Sequence, residues 1–198
     1  MIAKEELNIL WSLEQTAEKY EDRVAVSDVN QELTWKGLVK KAQVIGAELS
    51  KKVQPGNPIP VLLEKSSETL AVMLGIVYAG CFYVPVNPMN PAERLRKIME
   101  KLEPEVIISD EKGKEQLAAV GIGLEEKVIG PETLLPTTGT DLSEEQRSKL
   151  EQIQGQWKET DALYGIFTSG STGTPKAIVV SHGAASRFIR HFTEIFQS

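Results

Sequence analysis

The chain has 198 residues, of which 41% are hydrophobic and 25% charged, and its formal net charge at pH 7 is -6. This composition is typical of a globular chain with one hydrophobic core or a small pair of cores, and it excludes a chain that is disordered over its whole length. The acidic balance disfavours broad nucleic-acid binding, but a local phosphate site does not depend on net charge because backbone N–H groups form it.

The pattern of apolar residues predicts alternating helices and strands along the chain. In chain order these are a helix over 1–22, strands over 24–26 and 32–34, a helix from its cap Thr34 to 51, a strand over 59–63, a helix from its cap Ser66 or Ser67 to 78, a strand over 81–84, a helix over 91–102, strands over 106–108 and 127–129, a polar loop and helix within 131–160, strands over 162–167 and 177–180, and a helix from 183 onward. The alternation predicts an α/β fold, with a mainly parallel sheet flanked by helices.

The segment 131–160 and the apolar stretch 69–86 each carry a signal for their secondary structure. Ser143 and Gln146 match a capping box, which predicts that a helix starts at 143 and runs to about 151. The stretch 69–86 is long enough to span a bilayer, but Gly75, Gly80 and Pro85 interrupt it. We therefore interpret it as a buried helix followed by a buried strand, and we expect no membrane partner.

The cysteine content and the N-terminus indicate the compartment. Cys81 is the only cysteine, so the chain forms no internal disulfide and no CxxC metal site, which is consistent with a reducing compartment. The first residues lack the apolar stretch of a signal peptide. These features predict a cytoplasmic protein.

A run of small and hydroxylated residues between two predicted strands carries the chemistry. Its glycines allow close backbone approach, its N–H groups can form an anion-binding nest, and its hydroxyls and one lysine add donors. It is not a Walker A loop, since Pro175 precedes the lysine and Ala177 follows it. The alternative is a flexible hairpin linker of low complexity. The candidate phosphate-binding residues are Thr168, Ser169, Gly170, Ser171, Thr172, Gly173, Thr174 and Lys176.

Three ordered segments carry a resemblance to a known family. Residues 164–177 resemble the phosphate-loop motif of the adenylate-forming enzymes, a superfamily that includes acyl-CoA synthetases, firefly luciferase and nonribosomal peptide synthetase adenylation domains. Residues 33–38 and 78–86 resemble two earlier motifs, and the similarity continues through 91–95 and 108–110. The motif at 78–86 is most similar to that of amino-acid adenylating members, including D-alanine–carrier protein ligases and peptide synthetase modules.

The chain departs from the family pattern at a few positions. Ala177 stands where the family usually has glycine, Asn87 where it often has aspartate, and Lys36 with Gly37 where an acidic residue is usual. The later motifs that bind adenine and ribose, line the acyl pocket and hold Mg²⁺ are absent. The C-terminal domain that supplies a lysine to adenylation is also absent. We therefore expect residues 1–198 to be a partial adenylation domain, the N-terminal part of the large domain, from a truncated chain or a short gene product.

The resemblance implies a fragment of a ligase that uses ATP and Mg²⁺ to activate a carboxylic or amino acid and transfers it to the thiol of a carrier protein or coenzyme A. Thr172 and Lys176 are then the best candidates for side-chain contacts to phosphate. No catalytic residue and no magnesium ligand is expected within the chain, and the isolated chain is expected to be inactive. Two alternatives stay open: a non-catalytic nucleotide-binding or partner-docking module, and one half of a split enzyme. If the chain is a ligase fragment or one half of a split enzyme, self-association through uncovered apolar surface is expected.

Three further residues can be assigned roles in more than one way. His182 follows the predicted strand after the motif, near where family members often have a histidine, and it could equally be a helix-start or surface histidine. His191 is interpreted as a surface residue of the last helix. Cys81 lies in an apolar stretch, which indicates a core residue rather than a nucleophile, because burial raises the pKa of a thiol.

Overall fold

A computed structural model describes residues 7–121, 123–135, 141–168 and 175–196. The sequence predicts all but one of the α-helices within these ranges: it misses Glu111–Val120, because that segment is mostly polar with few apolar residues at helical spacing. Helices and strands alternate along the chain. In chain order they are α1 (Ile9–Lys19), β1 (Val24–Ser27), β2 (Glu32–Thr34), α2 (Trp35–Leu49), β3 (Pro58–Leu62), α3 (Ser67–Tyr78), β4 (Phe82–Pro85), α4 (Ala92–Leu102), β5 (Ile107–Ser109), α5 (Glu111–Val120), β6 (Val128–Ile129), α6 (Glu144–Gly155), β7 (Ala162–Thr168), β8 (Lys176–Ser181) and α7 (His182–Phe196).

Six of the strands form one sheet in the order β6-β5-β3-β4-β7-β8. The first five strands of that order are parallel to their neighbours, and β8 pairs antiparallel with β7 at the edge. β1 and β2 form a separate antiparallel pair. The predicted α/β fold with a mainly parallel sheet is confirmed, and the parallel strand ends bring their following loops to one edge of the sheet.

Side chains at the starts of the helices explain where the helices begin. The Thr34 side chain accepts from Gly37 N–H, and the Ser66 side chain accepts from Thr69 N–H. Ser143 and Gln146 form the predicted capping box at the start of α6. Each cap satisfies a backbone donor that has no partner inside the helix, so these three helix starts could be predicted from the sequence.

The sheet is covered on both faces because neighbouring residues of its central strands point to opposite sides. On one face Val61 of β3 and Ile108 of β5 pack with α2 and α3. On the other face Leu62 and Ile107, the adjacent residues of the same strands, pack with α4 and α5. Burial on both faces explains why these strands read as continuous apolar runs.

The structure corrects some predicted boundaries. α1 is shorter than the predicted helix 1–22, and residues 1–6 lie outside the described residues. Part of the predicted loop, Pro131–Leu134, is a short 3-10 helix that buries Leu134, and α6 continues to Gly155 rather than to 151. The stretch 69–86 contains most of α3 followed by β4, as interpreted. Among the described helices, none has both the length and the apolar character required to cross a bilayer.

Candidate functional site

The candidate phosphate-binding motif connects the two antiparallel strands at the edge of the sheet. β7 ends at Thr168 and β8 begins at Lys176, and these two residues are paired across the strands. The structure therefore brings the first and last candidate residues together. Because β7 is parallel to β4, they lie at the carboxyl edge of the sheet, where open α/β sheets bind ligands. The candidates between them, Ser169, Gly170, Ser171, Thr172, Gly173 and Thr174, lie outside the described residues.

The two described candidates are available to a ligand. The Thr168 and Lys176 side chains are exposed, whereas Pro175 is buried beside them. No carboxylate of the described residues lies within ion-pair distance of Lys176. A hydroxyl and an ammonium group are thus placed next to one another at the two ends of the motif, which suits recognition of an anion.

Other polar residues at the same edge serve the local backbone. The Asn87 side chain accepts from Met89 N–H at 2.9 Å in the turn after β4. The Asp110 side chain accepts from Gly113 N–H at 2.8 Å and caps α5. Asn87 is one of the departures from the family pattern, and here its side chain has a role in turn formation.

Arg94 is a residue at this edge whose contact could not be read from the sequence. It lies in the first turn of α4, and its Nη2 donates to the Phe167 carbonyl oxygen at 3.4 Å. Phe167 is the residue before Thr168, so this bond joins α4 to the strand end that leads into the motif. A sequence feature does set Arg94 apart, because no acidic residue lies three or four positions from it in α4.

His182 lies at the other end of the same hairpin. It follows Ser181, which pairs with Ala162 at the start of β7, about 20 Å from Thr168 at roughly 3.3 Å per residue of strand. Its side chain is only 3% exposed, and Nδ1 accepts from Ile9 N–H at 3.4 Å. His182 is therefore a helix-start residue, as one interpretation held, but it is not a surface residue and is remote from the motif.

The surroundings of His182 form a cleft of about 430 Å³ at that opposite edge. The Trp157 ring contacts the imidazole edge-on, with ring centroids 5.6 Å apart. Burial lowers the pKa of His182 to about 4, and the nearby Asp161 only partly opposes this effect. The imidazole is therefore neutral at pH 7, and it joins α1, α7 and Trp157 as a packing residue.

The interpretations of Cys81 as a core residue and of His191 as a surface residue are confirmed. Cys81 is buried, its Sγ donates to the Gln54 carbonyl oxygen at 3.3 Å, and burial raises the pKa of the thiol to about 11. A thiol with that pKa is not a nucleophile at neutral pH. His191 is an exposed residue of α7, with Nδ1 4.0 Å from a carboxylate oxygen of Glu194. Within the described ranges, no group of three or more His, Cys, Asp or Glu residues could hold a metal ion.

Comparisons with solved structures identify the fold. The nonribosomal peptide synthetase FmoA3, in its AMPPNP-bound form, superposes with a TM-score of 0.77 at 23% identity, over 96% of this chain and 19% of that one. VinN superposes with a TM-score of 0.76 at 22% identity, over 100% of this chain and 50% of that one. The fold is the N-terminal part of an adenylation domain.

The sequence comparisons identify the family. The family model of the AMP-binding enzymes matches residues 13–197. Bacitracin synthase 1 of Bacillus licheniformis is 33% identical over 174 residues, which are 85% of this chain and 3% of that protein. The chain thus belongs to the AMP-binding enzyme family, its relatives include nonribosomal peptide synthetases, and it spans only a small part of their length.

Proposed function

We propose that this chain contributes the phosphate-binding segment of an ATP-dependent, carboxylate-activating ligase, and that residues 1–198 are part of its N-terminal domain. The observation that carries the proposal is the hairpin at the carboxyl edge of the sheet. It places Thr168 and Lys176 side by side at the two ends of the glycine- and hydroxyl-rich motif. The position of the motif at the edge where parallel sheets bind ligands favours this role over that of a hairpin linker of low complexity.

The proposed reaction has two steps. A substrate carboxylate oxygen attacks the α-phosphorus of ATP, the bond to the β-phosphate oxygen breaks, and an acyl-adenylate and pyrophosphate form. A thiolate then attacks the acyl carbon and AMP leaves. The first step brings two anions together and builds charge on the departing pyrophosphate, so oriented N–H, hydroxyl and ammonium groups accelerate it. The motif residues from Thr168 to Lys176 would bind the β- and γ-phosphates, with Thr172 and Lys176 as the main side-chain contacts.

The described residues suit a polyphosphate better than they suit a metal ion. Lys176 has no carboxylate partner among them and stands beside a hydroxyl, whereas they contain no cluster of metal-ligating side chains. We therefore propose ATP, accompanied by Mg²⁺, as the ligand, and we assign no magnesium ligand to these residues. Magnesium would neutralise part of the phosphate charge when bound.

The substrate class is proposed as an amino or carboxylic acid, and the thiol as that of a carrier protein. Support comes from relatives, since the matched proteins include peptide synthetases, and VinN has been solved with 3-methylaspartate and with L-aspartate. A cytoplasmic location is proposed because a single cysteine is consistent with a reducing compartment. Nucleic acid and membrane are not proposed as partners.

An exposed apolar surface on α7 and β8 favours a second candidate role, docking to another polypeptide or to a second copy. Phe188 and Ile189 of α7 are 69% and 53% exposed, and they line a shallow apolar depression together with Val180 of β8. Contiguous apolar surface of this kind is typical of contact regions. In this role the chain would be a docking module or one half of a split enzyme, with the other half on a separate chain.

Calorimetric titration of the 198-residue chain with MgATP and with inorganic pyrophosphate tests the proposed function. We expect Lys176→Met to weaken both affinities by about tenfold or more, since charge-assisted hydrogen bonds to phosphate are lost. Gly173→Val should abolish binding, because its side chain would obstruct backbone approach to phosphate. The matched control is Lys101→Met, which removes an exposed lysine at the far end of α4. Wild-type protein that binds neither ligand, or equal affinities for Lys176→Met and Lys101→Met, would contradict the proposal.

A further inference from the structure

The charged residues in the first half of α4 have different environments. Arg96 forms ion pairs with Glu93 and Glu100, and Lys97 lies 3.5 Å from Glu93. Arg94 is partly buried, and no carboxylate of the described residues lies within ion-pair distance of it. Its described hydrogen bond goes to a neutral acceptor, the Phe167 carbonyl oxygen. One N–H of the guanidinium group is used there, and four remain for another acceptor.

The residue that accepts the Arg94 hydrogen bond and the residue after Arg94 belong to one apolar cluster. Phe167 packs against the apolar cluster that contains Val84 of β4 and Leu95, the residue after Arg94. The hydrogen bond from Arg94 to the Phe167 carbonyl oxygen adds a directional contact between α4 and the end of β7. A positive charge that is held in place, partly desolvated and without a counter-ion in the described residues favours binding of an anion.

Arg94 and Lys176 approach the hairpin from opposite faces of the sheet. Phe167 faces the side of the sheet that α4 covers. Side chains alternate along a strand, so Thr168 and its cross-strand partner Lys176 face the other side. The two cations thus stand on either side of the strand ends between which the motif runs.

We propose that Arg94 is a positioning residue of the phosphate site: it anchors the end of β7 through Phe167 and supplies, opposite Lys176, a second positive charge that stabilises a bound polyphosphate. This inference rests on the proposed function and adds a residue from α4 to it. Its effect on the anion is electrostatic, so removing the charge weakens binding even where a hydrogen bond to Phe167 is kept.

Two substitutions separate the charge from the hydrogen bond. Arg94→Lys keeps the charge, and Arg94→Gln keeps a donor for the Phe167 carbonyl but is neutral. Arg96→Gln is the matched control, because it removes the same charge two residues away, where the guanidinium is already paired with Glu93 and Glu100. The probes are MgATP and inorganic pyrophosphate, titrated into the 198-residue chain at low and at higher salt, with a thermal melt of each variant.

We expect Arg94→Gln to weaken pyrophosphate binding about three- to tenfold and to reduce its salt dependence, with Arg94→Lys within about twofold of wild type and Arg96→Gln unchanged. Wild type and Arg94→Gln that bind alike would overturn the inference and leave the proposed function intact. Equal weakening in Arg94→Lys and Arg94→Gln, together with a lowered melting temperature in both, would also overturn it, because the role would then be structural. Failure of the wild type to bind either probe would overturn both.

Discussion

Gly46 of α2 lies at a close contact between α2 and α3. A Cβ atom on Gly46 would lie 2.5 Å from the Tyr78 Cβ and 2.9 Å from the Gly75 carbonyl oxygen. Neither atom is the end of a flexible side chain, so an alanine requires the two helices to move apart. Tyr78 is fully buried and ends α3 just before β4, so the strain falls on the core beside the sheet.

The magnitude for Gly46→Ala follows from two opposing effects. Alanine raises helix propensity by about 1 kcal/mol relative to glycine. Overpacking in a core costs about 1–3 kcal/mol, and contact with backbone puts this site at about 3 kcal/mol. The expected net loss in the free energy of unfolding is about 2 kcal/mol, or a melting temperature lower by about 4–8 °C for a chain of this size.

The measurement is chemical denaturation followed by circular dichroism, with Gly155→Ala as the control. Gly155 ends α6, and a Cβ there would meet no atom within 4 Å. Only the propensity effect operates at that site, so Gly155→Ala should be neutral or stabilising by up to about 1 kcal/mol. If the two variants have the same stability, the close approach of α2 and α3 does not limit the volume at Gly46, and the reasoning is wrong.

Four further predictions concern titratable and exposed groups. Because the pKa of His182 is lowered from 6.5 to about 4, the neutral imidazole contributes fully to the free energy of unfolding above pH 6.5, and up to about 3 kcal/mol of that stability is lost as pH falls from 6.5 through 4. His182→Asn should therefore flatten the dependence of the free energy of unfolding on pH over this range, as measured by denaturation at several pH values. Burial raises the pKa of Glu14, whose carboxylate accepts from Tyr78, so wild type should lose stability relative to Glu14→Gln as pH rises through and above 4.5. Cys81 should react with iodoacetamide in denaturant and resist it in the native protein at pH 7.5, and rapid native labelling would contradict its burial. Phe188→Glu should reduce any self-association seen in sedimentation velocity, whereas an unchanged distribution would exclude the α7 surface as the contact.

Local features of the sequence were sufficient for much of the fold. The caps Thr34, Ser66 and Ser143 are short side chains that satisfy backbone donors within three residues, so their effect does not depend on distant parts of the chain. The strands were recognisable as apolar runs bounded by turns. Predicted helix ends were less accurate, as at α1 and α6, because helix ends have weak local determinants.

The site could be predicted only in part. Thr168 and Lys176 were selected from the order of residues in the motif, and the structure pairs them. The contact of Arg94 with Phe167 spans 73 positions in the chain and depends on how α4 packs on β7, so periodicity gave no indication of it. The location of His182 at the opposite edge followed from the length and direction of β8, which only the pairing with β7 established.

By itself, the sequence determined the alternation of helices and strands, the mainly parallel fold class and the resemblance to adenylate-forming enzymes, because each depends on residue order over a few to about fifteen positions. Tertiary structure alone decided the strand order, the burial of His182, the closeness of Gly46 to Tyr78, and the placement of Arg94 and Lys176 on opposite faces of one hairpin. These properties arise when segments far apart in the chain pack together, and packing depends on the shape and volume of both partners at once.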